Sequence, residues 1–94
     1  MKARHAREAR TFVDIPNVGP RIARDFVTLG LRTPVDLIGK DPLVLYRSLC
    51  EKTHSRHDPC VLDTFMAAVD FMNGAAARQW WCYTAERKRQ YPKV

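Results

Sequence analysis

The sequence lacks any apolar run close to the roughly 18 residues that a membrane-spanning helix requires, so we expect no membrane span. Its start, Met1 to Glu8, is charged throughout and has no apolar stretch, so we also expect no secretory signal. Only three cysteines are present, and this odd number argues against a disulfide framework and for a cytoplasmic location. No segment alternates between apolar and polar residues for long enough to require a sheet.

What the sequence does contain is typical of one small globular domain over residues 1–94. Apolar residues make up 46% of the chain and charged residues 28%, which excludes both a disordered chain and a membrane protein. A chain of 94 residues is long enough for one modest core and too short for a second domain.

Positive charge is concentrated at the two ends of the chain. The whole chain has a net charge of +6. Residues 1–10 carry +3, residues 78–94 carry +4, and the residues between them carry −1. We expect these basic ends (1–10 and 86–94) to attract a polyanion, most simply nucleic acid. Two solvated tails that only aid solubility are the alternative interpretation.

Proline and glycine mark the start and end of four predicted helical segments. Proline is favoured at the first helical position, and glycine is favoured just beyond the last. The four segments run from Pro20 to Gly30, from Thr33-Pro34 to Gly39, from Asp41-Pro42 to about Thr53, and from Asp58-Pro59 to Asn73-Gly74. Thr33, Asp41 and Asp58 each stand where an N-cap oxygen can accept amide protons.

The spacing of apolar residues agrees with these segments and adds a helix at each end. The fourth segment has the broadest apolar stripe, which includes Val61, Phe65 and Val69, so we expect it to be the central helix. Asp63 and Asp70 are interpreted as its solvated face. Residues 3–13 and 78–90 are the predicted first and last helices. The fold class is therefore all-α, a small single domain of five or six short helices.

The segment from Phe12 to Ala23 carries the strongest functional signal. With the loop Ile15-Pro16-Asn17-Val18-Gly19 it resembles a helix-hairpin-helix motif, in which two short helices flank a tight glycine-containing loop. The usual first glycine of that loop is Asn17 here, and asparagine tolerates the left-handed conformation better than other residues with a side chain.

A phosphate group is the expected ligand of this loop, because a helix N-terminus presents unpaired amides and a favourable dipole. The predicted nucleic-acid-binding residues are Asn17, Val18, Gly19, Arg21, Arg24 and Thr28. Gly19 lets a phosphate approach the main chain, and the last three residues follow one helical face at i, i+3 and i+7. A hairpin that only packs two helices together is the alternative.

The chain as a whole resembles the bacterial pathogenicity-locus family, some members of which carry the name mitomycin resistance protein. The matching residues are Ile15 to Pro20, Gly30-Leu31, Asp36-Leu37, Asp41-Pro42, Leu45-Tyr46, Leu49-Cys50, Asp58 to Asp63, Phe65 and Trp80-Trp81. The C-terminal domain of the competence regulator TfoX is similar at the level of the hairpin. The resemblance implies a helix-hairpin-helix fold and a role with nucleic acid, and it implies no established activity.

Two other constellations have a structural and a functional interpretation. Cys50, His54, His57 and Cys60 offer four zinc ligands, but their spacing is unfamiliar, so we favour buried thiols with exposed histidines and expect no metal.

Aromatic and basic residues interleave near the C-terminus, in a pattern that stacks on single-stranded bases in some proteins. We favour core closure by Trp80 and Trp81, with one buried and the other half-exposed.

The sequence contains no phosphate loop, nucleophile elbow or paired-histidine metalloprotease motif, so we expect neither an enzyme nor a cofactor. The leading hypothesis is a non-catalytic module that binds DNA weakly and independently of sequence, through the hairpin and the following helix. The alternative is a protein-interaction or homodimerisation module in which the hairpin is only structural.

Overall fold

Proline begins the three longest helices, as the sequence predicts. In the computed structural model, which describes residues 2–94, helix α1 spans Pro20–Thr28, α2 spans Pro42–Thr53 and α3 spans Pro59–Met72. A fourth helix, α4, spans Thr84–Gln90. The all-α class is confirmed, and no strand occurs among residues 2–94.

Side-chain caps fix the starts of α2 and α3. The carboxylate of Asp41 accepts a hydrogen bond from the Leu43 amide, and that of Asp58 accepts one from the Cys60 amide. Each bond satisfies an amide that has no partner inside its helix. Helix α1 ends before Gly30, whose φ is +86°. Glycine adopts this left-handed conformation with little steric strain. These boundaries confirm the helix starts and stops predicted from the sequence.

Four 3₁₀ turns, rather than additional helices, make up the rest of the regular structure. They are Ala6–Glu8, Phe12–Asp14, Pro34–Leu37 and Trp80–Tyr83. The expectation of five or six helices is therefore wrong, since residues 2–94 contain four α-helices. The predicted first helix over 3–13 is replaced by two of these turns, and the predicted last helix over 78–90 begins only at Thr84.

Three of the turns are stabilised by the same carboxylate arrangement. Glu8 accepts hydrogen bonds from the amides of Arg4 and His5, and Asp14 accepts bonds from those of Arg10 and Thr11. Asp36 does the same with the amides of Arg32 and Thr33. Such local bonds compete with a continuous helix, because they bind amides of the preceding residues to a side chain. This competition explains why residues 3–13 do not form a helix.

The element before the bend at Ile15 to Gly19 is short. It is the three-residue turn Phe12–Asp14, and only α1, after the bend, is an α-helix. A helix-hairpin-helix motif is therefore not confirmed. The turn still packs on α1, where the rings of Phe12 and Phe26 lie 5.1 Å apart between centroids.

Helix α3 is the centre of the core, as its apolar stripe predicts. Eleven of its 14 residues are buried, so neighbours enclose it on nearly every side. It packs against α2, α4, and the turns Pro34–Leu37 and Trp80–Tyr83. Phe65 reaches Phe26 of α1 with 5.1 Å between ring centroids, and this contact joins the bend to the central helix.

The expectation that Asp63 lies on a solvated face is wrong. Its side chain is 1% exposed, and its Oδ1 lies 2.8 Å from Nε of Arg87 in a buried ion pair between α3 and α4. The hydroxyl of Thr84 donates a second hydrogen bond, of 2.7 Å, to Oδ2. Both carboxylate oxygens are therefore satisfied, which a buried carboxylate requires.

Among residues 2–94, no helix is both long enough and apolar enough to cross a lipid bilayer.

Removing the arginine of the buried ion pair should destabilise the fold strongly. Arg87→Met leaves the Asp63 charge buried without its partner, and we expect the free energy of unfolding to fall by about 3–5 kcal/mol. Lys88→Met, at an exposed position of the same helix, should change it by no more than about 0.5 kcal/mol. Urea unfolding at neutral pH measures both values. Similar losses in the two variants would contradict the role assigned to the ion pair.

The carboxylate-capped turns should make stability depend on pH in the acid range. Hydrogen bonds from the Arg32 and Thr33 amides lower the pKa of Asp36 below its usual value. A lowered folded-state pKa gives stability that is present above the unfolded-state value of about 3.9 and lost as pH falls through the folded value. We therefore expect Asp36→Asn to lower the urea midpoint at neutral pH.

The difference between Asp36→Asn and wild type should disappear at a pH below the folded pKa, because both side chains are then neutral. Glu51→Gln is the matched control, since Glu51 is an exposed carboxylate that accepts no hydrogen bond within residues 2–94. A midpoint difference for Asp36→Asn that is the same at neutral and strongly acidic pH would contradict the prediction.

Candidate nucleic-acid interface

Two buried side chains hold the bend between Phe12–Asp14 and α1. Ile15 and Val18 are completely buried, and the amide of Val18 donates a 3.1 Å hydrogen bond to the carbonyl of Ile15. Between them, Asn17 has a φ of +72°, in the left-handed region. The structure thus confirms that asparagine supports the turn where the usual motif has glycine.

The main chain at the start of α1 offers free hydrogen-bond donors. Gly19 is the N-cap residue, and its carbonyl accepts the first helical bond, from Ala23. The amides of Gly19, Arg21 and Ile22 donate to no acceptor within residues 2–94. A Cβ placed on Gly19 would meet no atom within 4 Å, so the space beside these donors is open. The bend therefore presents an accessible face to an anion.

Val18 contributes to the shape of this bend and not to its donors. Its side chain is buried, and its amide is already bonded to Ile15. Its carbonyl accepts a hydrogen bond from Nζ of Lys2, which also donates to the carbonyl of Val13. Val18 therefore supplies no free main-chain donor at the bend.

Lys2 is a residue of the bend that the sequence analysis missed. The Ala3 amide donates a 2.7 Å bond to the carbonyl of Asp14, and this contact brings the N-terminal segment onto the bend. Partial burial lowers the pKa of Lys2, and the nearby Asp14 carboxylate opposes that effect. No local sequence pattern shows this, because the contact joins segments 11 to 16 residues apart.

Arg21, Arg24 and Thr28 lie on the exposed side of α1, as predicted from their spacing. Neither arginine forms an ion pair within residues 2–94. Both lie near Asp25, whose pKa is raised by burial and lowered to a smaller extent by His57, Arg21 and Arg24. One carboxylate oxygen of Asp25 is buried without a hydrogen-bond partner. The two guanidinium groups therefore remain available to an anionic ligand.

The side chain of Asn17 joins the bend to the C-terminal part of the chain. Its Nδ2 donates a 2.7 Å hydrogen bond to the carbonyl of Arg78, and its Oδ1 accepts one of 3.2 Å from the Trp80 amide. Glycine could supply the same backbone conformation but neither bond. In the sequence, an asparagine in place of the usual glycine is the one indication of these hydrogen bonds. Only the fold shows that they are made to Arg78 and Trp80.

The basic ends of the chain are largely parts of the fold. In the N-terminal segment Ala9 is buried and the turn Ala6–Glu8 packs on α3, so residues 2–10 are not a solvated tail. In the C-terminal segment the charge of Arg87 is neutralised by its buried ion pair with Asp63. The exposed basic residues of the two ends are Lys2, Arg4, Arg7, Arg10, Arg78, Lys88, Arg89 and Lys93.

Tyr83, and not the tryptophan pair, closes the core near the C-terminus. Tyr83 is 1% exposed, and the guanidinium carbon of Arg78 lies 4.5 Å from its ring centroid. Trp80 is half-buried, whereas Trp81 is 58% exposed and contacts Trp80 edge to face at 5.7 Å. The prediction of core closure with one tryptophan buried and the other half-exposed is wrong, because Trp80 is only half-buried and Trp81 is exposed.

The cysteine and histidine residues of the segment 50–60 do not come together as a set of possible metal ligands in the structure. No three side chains of the metal-binding types lie together within residues 2–94. His57 instead makes local hydrogen bonds: its amide donates to Sγ of Cys50, and its Nε2 lies 2.9 Å from the hydroxyl of Thr53. Cys50 and Cys60 are half-buried, and burial raises the pKa of Cys60.

A family model described as Cdd1, pathogenicity locus, matches residues 5–89, which include the bend, α1 and the Trp80–Tyr83 turn. The chain belongs to the Cdd1 pathogenicity-locus family. It is also 47% identical, over 73 residues, to the mitomycin resistance protein McrB of Streptomyces lavendulae, and the matched part covers 78% of this chain and 70% of that protein. No solved structure matches the chain.

The Cdd1 match confirms the family resemblance drawn from the sequence and extends it toward the N-terminus. The matching residues identified in the sequence begin at Ile15, whereas the family region begins at residue 5 and takes in the turn Ala6–Glu8. Lys2 and Ala3, which contact the bend, lie just outside the matched region. The similarity to the TfoX domain stays a prediction.

Asn17→Gly tests the connection between the bend and the C-terminal segment. Glycine keeps the left-handed backbone but removes two hydrogen bonds, so we expect the free energy of unfolding to fall by roughly 1–3 kcal/mol. The Trp80 amide should lose its protection against hydrogen exchange. Gln79→Ala, which truncates an exposed neighbour, should leave that protection unchanged. If the Trp80 amide kept its protection against hydrogen exchange in Asn17→Gly, the proposed connection between the bend and the C-terminal segment would be contradicted.

Proposed function

We propose that this protein is a non-catalytic module that binds the phosphate backbone of DNA independently of sequence. The observation that carries the proposal is the cluster of unpaired amides at Gly19, Arg21 and Ile22 beside open space. Amides of this kind, at the positive end of a helix dipole, are suited to hold one phosphate. In the proposal, the Phe12–Asp14 turn, the bend and α1 act as a shortened helix-hairpin-helix motif.

The side chains of α1 would extend the contact along one strand. Arg21 adds a charge-assisted hydrogen bond at the first phosphate. Arg24 and Thr28 follow on the same exposed face and reach toward neighbouring phosphates. Because these contacts address the backbone and no base edge, they position the protein without reading sequence.

The charge of the protein supports the same class of ligand. A net charge of +6 favours association with a polyanion, and affinity should fall steeply with salt. Non-specific binding of this kind has a dissociation constant of roughly 10⁻⁴–10⁻⁶ M at physiological salt. The name of the Streptomyces relative concerns mitomycin resistance, and we extend the proposal to a role of this chain in that resistance.

A protein-interaction or homodimerisation module is the second candidate. Four aliphatic side chains on consecutive elements are exposed, namely Val27, Val35, Ile38 and Val44. Exposed apolar side chains favour association with another protein where they form one contiguous patch. In this case the bend would have only a structural role.

Gly19→Asp separates the two candidates. An aspartate at position 19 would accept from the Arg21 amide, as Asp41 and Asp58 do in α2 and α3, and its charge would occupy the phosphate position. We expect duplex DNA to bind about tenfold or more weakly, since a charge-assisted contact is replaced by repulsion. The folded state should be at least as stable as in wild type, because the N-cap improves.

Gly19→Ala is the matched control, because it adds a Cβ without a charge or a capping oxygen. The backbone of Gly19, with φ of −95°, is open to any residue, so both variants should fold. Fluorescence anisotropy on a short labelled duplex measures affinity, and thermal unfolding measures stability. Equal affinities for the aspartate and alanine variants would exclude the bend as the phosphate site. A mass that rises with concentration, without DNA binding, would favour the second candidate.

A further inference from the structure

A groove lies around the N-terminal segment 2–8, and part of it faces the segment 74–82. It consists of three adjoining clefts of about 520, 400 and 330 Å³. Arg4 lines the first and third clefts, Lys2 the second and third, and Ala77 the first and second. Because each pair of clefts shares a wall residue, we describe the three together as one groove, and its middle cleft reaches the bend at Pro16 and Asn17.

The walls of this groove are strongly basic. Lys2, Arg4, Arg7 and Arg78 line it together with His5, and Glu8 is its one acidic residue. None of the four cations forms an ion pair within residues 2–94. The Glu8 carboxylate is already bonded to two amides of its own turn. The groove therefore has an excess of positive charge that the protein itself does not neutralise.

The basic wall is held in place by the fold. The Ala3 amide is bonded to Asp14, and Lys2 is bonded to the carbonyls of Val13 and Val18. The opposite wall of the first cleft, Gly74 to Ala77, has no side chain longer than a methyl group, which leaves this part of the groove open. A polymer bound here would meet a preformed surface, and little ordering of the protein would oppose binding.

An exposed aromatic residue lies in the segment of the chain that lines the middle cleft. Gln79 and Cys82 both line the middle cleft, and Trp81 stands between them in the chain with 58% of its surface exposed. Its edge-to-face contact with Trp80, whose amide is bonded to Asn17, supports the ring. Basic grooves combined with exposed aromatic rings are the usual means of binding single-stranded nucleic acid.

We infer that this groove binds single-stranded nucleic acid, with phosphates along Arg4, Arg7 and Arg78 and a base stacked on Trp81. The inference rests on the proposed function, because it deepens the choice of ligand, but it uses residues other than those on α1. A paired and stacked base cannot place its face on an indole ring, whereas an unpaired base can. The duplex would contact α1, and an adjoining single strand would enter the groove through the shared bend.

The test compares two variants that lose the same charge. Arg4→Gln/Arg7→Gln removes two cations from the groove, and Lys88→Gln/Arg89→Gln removes two exposed cations of α4, which do not line it. Anisotropy of a labelled oligothymidylate is measured against salt concentration, with a duplex of equal length in parallel. For the single strand, log affinity falls linearly with log salt concentration, by about 0.7 for each phosphate contact. We expect the groove variant to make this slope shallower by about 1.4, because it loses two contacts.

Trp81→Ala tests the stacking separately. We expect at least about a fivefold loss of affinity for the oligothymidylate, with duplex affinity unchanged. Quenching of tryptophan fluorescence by the oligothymidylate in wild type should be reduced in the variant. Thermal unfolding checks that both groove variants keep the fold. Unchanged single-strand affinity in Trp81→Ala, or equal effects of the two double variants, would overturn the inference.

The outcome for duplex DNA distinguishes this inference from the proposed function. If the duplex still binds in a manner that depends on the charge at position 19, while the groove variants have no effect on the single strand, only the groove is excluded. If wild type binds neither oligonucleotide, both the proposed function and the groove are excluded. Loss of single-strand binding in the groove variants, with duplex binding retained, supports both.

Discussion

The buried ion pair between Asp63 and Arg87 is the interaction on which the candidate sites depend. It fixes α4 against the central helix, and the turn Trp80–Tyr83 immediately precedes α4. That turn carries Tyr83 into the core and presents the Trp80 amide to Asn17. The position of the bend is thus coupled to an ion pair on the far helix through a short series of direct contacts. Both oxygens of the Asp63 carboxylate are bonded, so the pair avoids the cost of an unpaired buried charge.

The same chain uses its acidic and basic residues in different ways. Six of its ten acidic residues bind main-chain amides or the buried arginine, namely Glu8, Asp14, Asp36, Asp41, Asp58 and Asp63. Among the sixteen basic residues, only Arg87 forms an ion pair within residues 2–94. Negative charge is therefore largely committed to local structure, whereas positive charge stays available on the surface. This division gives a basic bend and groove although the middle of the chain is close to neutral.

Local signals in the sequence were sufficient for the three long helices and insufficient for long-range contacts. Asp41-Pro42 and Asp58-Pro59 predict helix starts, because the cap and the fixed proline φ act within three residues. The sequence predicts a solvated Asp63, because its partner Arg87 is 24 residues away and apolar periodicity does not identify a buried ion pair. At the bend, the free donors follow from the local pattern. The contacts of Lys2 and Asn17 could not be predicted, since they join segments that only the fold brings together.

The start of α1 differs from the starts of α2 and α3 in one residue, and that difference leaves donors free. All three helices begin with proline. The N-cap residue before that proline is aspartate in α2 and α3, whereas it is Gly19, without a side-chain cap, in α1. The aspartates occupy an amide of the first turn with their own oxygens, whereas glycine has no oxygen to offer. An uncapped first turn is a less stable helix start, so the chain forgoes stability at this position. Because Ile15 and Val18 hold the bend from below, the unpaired amides stay fixed in orientation, and an anion that binds them need not order the loop.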